Sequence, residues 1–179
     1  SDYSCLTTLG NENPGSEAGW FNRPGDMTVD ASGNIYIADE GNHRVQIYDN
    51  NLQYIKMIGG GSQGSEPGKF KVPVDIDIDD KGYIYVVDRD NYDIRIFDQD
   101  LNPVQIIGTT GNGNLSETSL SPGYIALDHD NNIYCTDRTQ RIKVFDQTYS
   151  LVNTIEGGIV GSGEYQFRQP GDVAFDKVQ

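Results

Sequence analysis

The chain has 179 residues, 36% hydrophobic and 10% aromatic, and a formal net charge of −14. This is not a disordered composition, and it suits one domain able to bury roughly 70% of its unfolded surface. Two cysteines and two histidines exclude a disulfide framework and the multi-ligand zinc motifs, a pI near 4.3 argues against nucleic acid, and no apolar run reaches the roughly 20 residues of a membrane helix.

The first residue is Ser1, with no signal-peptide pattern, so the chain reads as a processed product or a piece of something longer. From there the elements are all strands. Tyr3 to Leu9, ending at Gly10, has the pattern of an outer strand. Pro24-Gly25-Asp26-Met27-Thr28-Val29-Asp30 then leads through a turn to Asn34-Ile35-Tyr36-Ile37-Ala38-Asp39. Two more strands follow, at Arg44 to Tyr48 and Tyr54 to Ile58. The same set recurs from Pro73 and from Pro122, and it begins again at Pro170. The spacings are 49, 49 and 48 residues, so the chain is an internal repeat. We place the repeats at about 20–59, 69–108 and 118–157, a partial one at 163–179, and a lone strand at 3–10, all within one segment, 1–179.

Period-two alternation over short runs rich in Ile, Val and Tyr marks antiparallel strands, and no window of 11 residues has a helical period. Asp30 to Asn34 and Asp79 to Gly82 supply glycines for tight hairpins. Four strands per repeat of 40–50 residues predict an all-β fold, a β-propeller of four-stranded antiparallel blades. Three blades are complete and the terminal ones are partial, which leaves an open or incomplete ring. The predicted core is Val29, Ile35, Ile37, Val45, Ile47, Ile76, Ile78, Ile84, Val86, Ile96, Ile125, Leu127, Ile133, Cys135, Ile142 and Val144.

Gly33-Asn34-Ile35-Tyr36-Ile37-Ala38-Asp39, followed by Gly41-Asn42-His43-Arg44-Val45-Gln46-Ile47-Tyr48-Asp49, resembles the NHL repeat. The resemblance covers nearly the whole chain, with drift in the later copies. It implies a propeller used for binding, for sensing or as a lyase scaffold, so it is specific for fold and unspecific for function. Asp39 and Arg44 flank a tight turn and are expected to pair. In the second repeat Asp93 replaces Arg44, and Asp88 needs another partner, Arg89 or Arg95.

The first strand of a propeller blade lines the central channel. Asp26, Asp75, Tyr124 and Asp172 therefore form one ring, and Thr28, Asp77, Ala126 and Ala174 the next. Converging carboxylates repel one another, so either a bound cation or bonds to backbone amides and water must compensate. Ca²⁺ suits oxygen ligands and is the one cofactor the pattern suggests, with Asp26, Asp75 and Asp77 as metal ligands and Asp172 as a further channel candidate. Asp128 to Asn132 faintly matches an EF-hand start but coincides with a hairpin turn. Asn114-Leu115-Ser116 is a glycosylation sequon. Cys135 reads as a small buried hydrophobe, and Cys5 is too distant to pair with it.

Three functions fit a propeller of this kind to different degrees. A non-catalytic scaffold for protein contacts or self-assembly agrees with every feature above. A propeller-type lyase or hydrolase with a metal in the channel needs histidines there, and His43 and His129 fall in turns. RNA binding needs a basic face, which is absent. We therefore read the chain as an extracellular or cell-surface scaffold. Its partners are other proteins or copies of itself, met through open blade edges, with no membrane insertion. Counting strands, the termini supply only an innermost and an outermost strand to a shared blade. The chain alone is then not a closed ring: it is a fragment of a propeller of about six blades, or neighbouring chains fill its edges.

Overall fold

A computed structural model describes residues 7–11, 13–108, 122–137, 141–156, 171 and 173–175. Twelve strands form three four-stranded antiparallel sheets, each in simple meander order. Blade 1 holds β1 (Pro24–Val29), β2 (Ile35–Asp39), β3 (Arg44–Tyr48) and β4 (Tyr54–Gly59). Blade 2 holds β5 (Pro73–Ile78), β6 (Ile84–Asp88), β7 (Asp93–Phe97) and β8 (Pro103–Gly108). Blade 3 holds β9 (Pro122–Leu127), β10 (Ile133–Asp137), β11 (Arg141–Phe145) and β12 (Leu151–Glu156). Two single 3-10 turns, Glu40–Asn42 and Arg89–Asn91, are the only helical residues among those described. None of the described helices is long and apolar enough to cross a membrane.

Aspartates build the turns. Asp30 accepts bonds from the amides of Ser32 and Asn34, and Asp128 from those of Asp130 and Asn132. Asp49, Asp98 and Asp146 do the same in the turns between third and fourth strands. There the left-handed residue is Leu52, Leu101 or Tyr149 rather than glycine. Each Asp side chain supplies the amide partners that hold the strained residue in place. Much of the acidity of the chain is thus architectural.

The blades stack face to face through two apolar clusters. Ala38, Val45, Ile47 and Ile58 of blade 1 meet Ile76, Ile84, Val86 and Phe97 of blade 2, with Phe70 between them. Tyr85, Val87, Ile94 and Ile96 on the other face of blade 2 meet Ile125, Leu127, Ile133, Cys135 and Phe145 of blade 3. Blade 2 is buried on both faces, and β6 accordingly reads as a continuous apolar run from Ile84 to Val87. Cys135 is fully buried, as expected from its register, and burial pushes its thiol pKa up, which makes it an inert hydrophobe.

The predicted core needs correction at its edges. Val29 is 57% exposed, because it lies on the face of blade 1 turned away from blade 2. Ile35, Ile78 and Ile142 are half-buried. Period-two patterning gives the parity of a strand but not whether another blade covers that parity. Most of the expected strand at 3–10 and of the partial repeat at 163–179, and also Cys5, lie outside the described residues.

Candidate functional site

The innermost strands β1, β5 and β9 lie side by side, and their carboxylates face the next blade. Asp26 Oδ2 accepts a bond from the amide of Ile76 at 3.3 Å. Asp75, 5% exposed, accepts one from Ile125 at 2.6 Å. Asp77 accepts one from Leu127 at 3.1 Å, and its other oxygen takes the amide of Ile78 at 2.8 Å. The candidate carboxylates are therefore rungs between blades, each joining a side chain to a backbone amide of the following blade. A first strand offers these amides because it is the edge strand of its blade, so alternate amides point away from the second strand. Charge-assisted bonds of this kind offset the cost of placing carboxylates near the axis. Among the described residues no group of three or more His, Cys, Asp or Glu side chains is placed to hold a metal ion. Asp172 and Asn114 lie outside the described residues.

A second constellation, at the opposite end of the strands from the Asp turns, contains the expected Asp39–Arg44 pair and extends it to backbone carbonyls that the sequence pattern does not show. It clamps the connector that leads into each blade. Arg44 donates from Nε to Asp39 at 2.8 Å, and its guanidinium also reaches the carbonyls of Ser16, Glu17 and Trp20. Gln46 donates to the carbonyl of Trp20 at 2.7 Å and to Asp39 at 3.0 Å. Asp39 also accepts the amide of Asn22 and the Asn42 side chain, which in turn holds the carbonyl of Gly15.

Blade 2 makes the same clamp with different residues. Asp93 stands where blade 1 has Arg44, and Arg95 where it has Gln46. The guanidinium of Arg95 reaches the carbonyls of Ser65, Glu66 and Lys69 and lies 3.5 Å from Asp88, the partner the sequence left open. Asp88 accepts the amides of Lys71 and Val72, and Asn91 holds the carbonyl of Gly64. Burial pushes the Asp93 carboxyl up, and bonds from Arg95 pull against it. In blade 3, Arg141 lies 3.9 Å from Asp137, and Lys143, only 2% exposed, takes the place of Arg95. Burial pushes the Lys143 ammonium pKa down. A sequence signal did exist: Asn42 and Asn91 hold glycine carbonyls 27 residues upstream, at matched places in two repeats.

Both histidines lie in the described part of the chain. His43 is half-buried and donates from Nδ1 to the carbonyl of Lys71 at 2.5 Å. His129 is 82% exposed in the β9–β10 turn, beside Asp130. Neither faces the channel strands. Tyr36 has its hydroxyl pKa pushed up to about 12, by burial and then by Asp30, so it is a structural donor at neutral pH.

The NHL repeat family model matches residues 21–48, which hold nearly all of the best copy of the motif and the Asp39, Arg44 and Gln46 side chains of its clamp. No curated protein matches the chain. Among solved structures, the chain is similar to virginiamycin B lyase from Staphylococcus aureus, with 13% identity and a TM-score of 0.57 over 74% of this chain and 41% of that one. It is similar to a putative exported protein from Bacteroides fragilis, with 16% identity and a TM-score of 0.62 over 87% and 43%. It is also similar to the RRP9 WD40 repeats, with 17% identity and a TM-score of 0.60 over 76% and 39%. The chain spans less than half the length of each. These likenesses show the fold alone, and the three sheets agree with it. A matched NHL repeat followed by two further blades of the same build makes the chain a β-propeller segment whose first blade is similar to the NHL repeat.

Proposed function

We propose that the chain is a non-catalytic scaffold that binds other proteins, copies of itself included, and works outside the cytoplasm. The observation that supports this most is the outward face of blade 1. Met27 is 63% exposed, Val29 57% and Met57 44%, whereas Ile76, at the position of Met27 in blade 2, is 3% exposed. The position by which Ile76 joins blade 2 to blade 1 is thus uncovered on blade 1, beside Val29 and Met57, while Ile37 and Tyr48 on the same face are covered, and a patch of this kind marks an interaction surface. Self-association follows because the blade faces already fit one another in a fixed order, and repeating that relation between copies makes a head-to-tail contact. The likeness to a putative exported protein and the Asn114 sequon support an extracytoplasmic place. Net charge −14 favours partners that are not acidic and disfavours nucleic acid.

A metal-dependent lyase or hydrolase is the weaker reading, since both histidines lie in turns. Light scattering across a concentration series tests the scaffold. The natural chain is expected to associate, and Met27→Asp with Val29→Asp to remain a 19.8 kDa species with an unchanged melt. A natural chain that stays monodisperse at that mass would remove self-assembly. A double variant that associates as before would place the contact elsewhere.

A further inference from the structure

The carboxylate rungs single out one strand edge. The amide of Ile76 donates to Asp26 of the blade before it, and the amides of Ile125 and Leu127 donate to Asp75 and Asp77. One repeat before Ile76 and two before Leu127 stand Met27 and Val29 of β1. Their register against Ile37 and Ile35 repeats that of Ile76 against Val86 and of Ile78 against Ile84, so these two amides also point away from the second strand. Among the described residues no side chain accepts a bond from either.

The apolar contacts stop at the same two residues. Ile76, Ile125 and Leu127 are buried, whereas Met27 and Val29 are exposed. Elsewhere the place of Val29 is covered by a tyrosine from the second strand of the preceding blade. Ile78 and Tyr36 border one cluster, and Leu127 and Tyr85 belong to the other. The place recurs once more as Phe175, whose ring lies 4.6 Å from that of Tyr134 between centroids. Tyr134 repeats Tyr85, which faces the following blade, so Phe175 lies against the face of blade 3 turned away from blade 2.

Both observations call for an inner strand with an aspartate in the register of Asp26. Blade 3 does not offer one, because Tyr124 and Ala126 stand where blade 2 has Asp75 and Asp77. The chain has one further strand sequence in that register, Pro170-Gly171-Asp172-Val173-Ala174-Phe175, and its aspartate matches Asp26 and Asp75. Within one copy, Phe175 and Met27 stand at opposite ends of the stack of blades. We propose that copies of the chain join head to tail, with Asp172 of one copy accepting the amide of Met27 in the next. The inference rests on the self-association proposed above and adds the residue that supplies the contact and the order in which copies meet. The junction repeats a relation already made twice inside the chain, its charge-assisted bond included. Donor edge and acceptor edge are different surfaces, so each copy can join two neighbours.

Sedimentation velocity on variants of the whole chain tests this. Asp172→Ala removes the acceptor, and Met27→Asp with Val29→Asp blocks the donor edge. Each alone is expected to raise the concentration needed for association at least about tenfold. Mixed, they are expected to form a one-to-one pair of twice 19.8 kDa and nothing larger, because each contributes the edge that the other lacks. Asp176→Ala removes the same charge four residues on and is expected to associate as the natural chain does. Unchanged association of Asp172→Ala overturns the proposal and leaves self-association standing through another contact. Mixed variants that fail to pair overturn it too. A natural chain that never associates removes the underlying reading, and the proposal with it.

Discussion

Met27 and Ile76 occupy the same place in the same strand of two successive blades, yet one is 63% exposed and the other 3%. Among the described residues, blade 2 has a blade against each face, whereas blade 1 has one against a single face. The comparison teaches that in a stacked repeat, burial belongs to the pair of blades and not to the strand. The same two blades also hold their connectors with an arginine placed one rung apart, Arg44 in one and Arg95 in the other. The clamp is therefore defined by the carbonyls it must reach rather than by a fixed motif position.

The largest expected effect sharpens the first contrast. Val86→Asp puts an unpaired carboxylate into the junction of blades 1 and 2, at a cost of about 4 kcal/mol or more, and should leave no cooperative urea transition. Ile37→Asp, at a site 4% exposed on the other face of blade 1 beside Met27, should be as damaging. Val29→Asp, in the same repeat as Ile37, should change stability by no more than about 0.5 kcal/mol. If all three unfold the chain, the outward face of blade 1 is covered in solution.

The clamps come next. Arg95→Ala strands buried Asp88 and Asp93 and should cost about 3–5 kcal/mol. Asp93→Arg combined with Arg95→Gln rewrites blade 2 in the residues of blade 1 and should recover most of that loss in the same denaturant titration. Failure to recover would mean that each connector is matched to its own arginine.

A smaller effect concerns the channel carboxylates. Asp77→Ala removes a charge-assisted bond to the amide of Leu127 and should cost about 1.5–3 kcal/mol. If such bonds are what satisfies the carboxylates, calcium and chelator should leave the thermal midpoint where it is. Calcium bound at a hundredfold over its dissociation constant would add about 2.7 kcal/mol, so a raised midpoint would assign the ring a cation.

Acid titration gives the smallest. Asn102 and the turn amides hold Asp98 below the usual carboxylate range, and Thr148 and Ser150 do so for Asp146. Their folded pKa values lie below the unfolded ones. The stability they add is complete at neutral pH and is lost as pH falls below about 4 toward the folded values. Asp93 is raised, so its ionised form opposes folding at neutral pH, and protonation removes that opposition. Asp98→Asn and Asp146→Asn should each make the acid limb of the stability curve shallower. An unchanged limb would show that these turns keep their bonds in the unfolded chain.

The repeat spacing, the four strands per unit and the turns were legible because each rests on local residue pattern. Asp30, Gly33 and the alternation of Ile35 and Ile37 lie within a few positions of one another. The Asp39–Arg44 pair was legible for the same reason. The bonds from Asp26 to residue 76 and from Asp75 to residue 125 were not, since each spans 50 residues and depends on how one blade abuts the next. The amide-capping alternative named the right kind of bond without its partners. The exposure of Val29 was illegible on the same ground.

The carboxylate rungs also have a direction in time. Every one runs from a side chain of an earlier blade to an amide of a later one: Asp26 to Ile76, Asp75 to Ile125, Asp77 to Leu127. On the ribosome the acceptor is therefore synthesised about 50 residues before its donor. Each finished blade waits with its carboxylate in place, and the next inner strand meets a prepared edge as it emerges. Assembly should thus grow from the N-terminal blade in steps of one repeat. Force measured on stalled nascent chains should rise at lengths 49 residues apart and lose its second rise in Asp26→Ala.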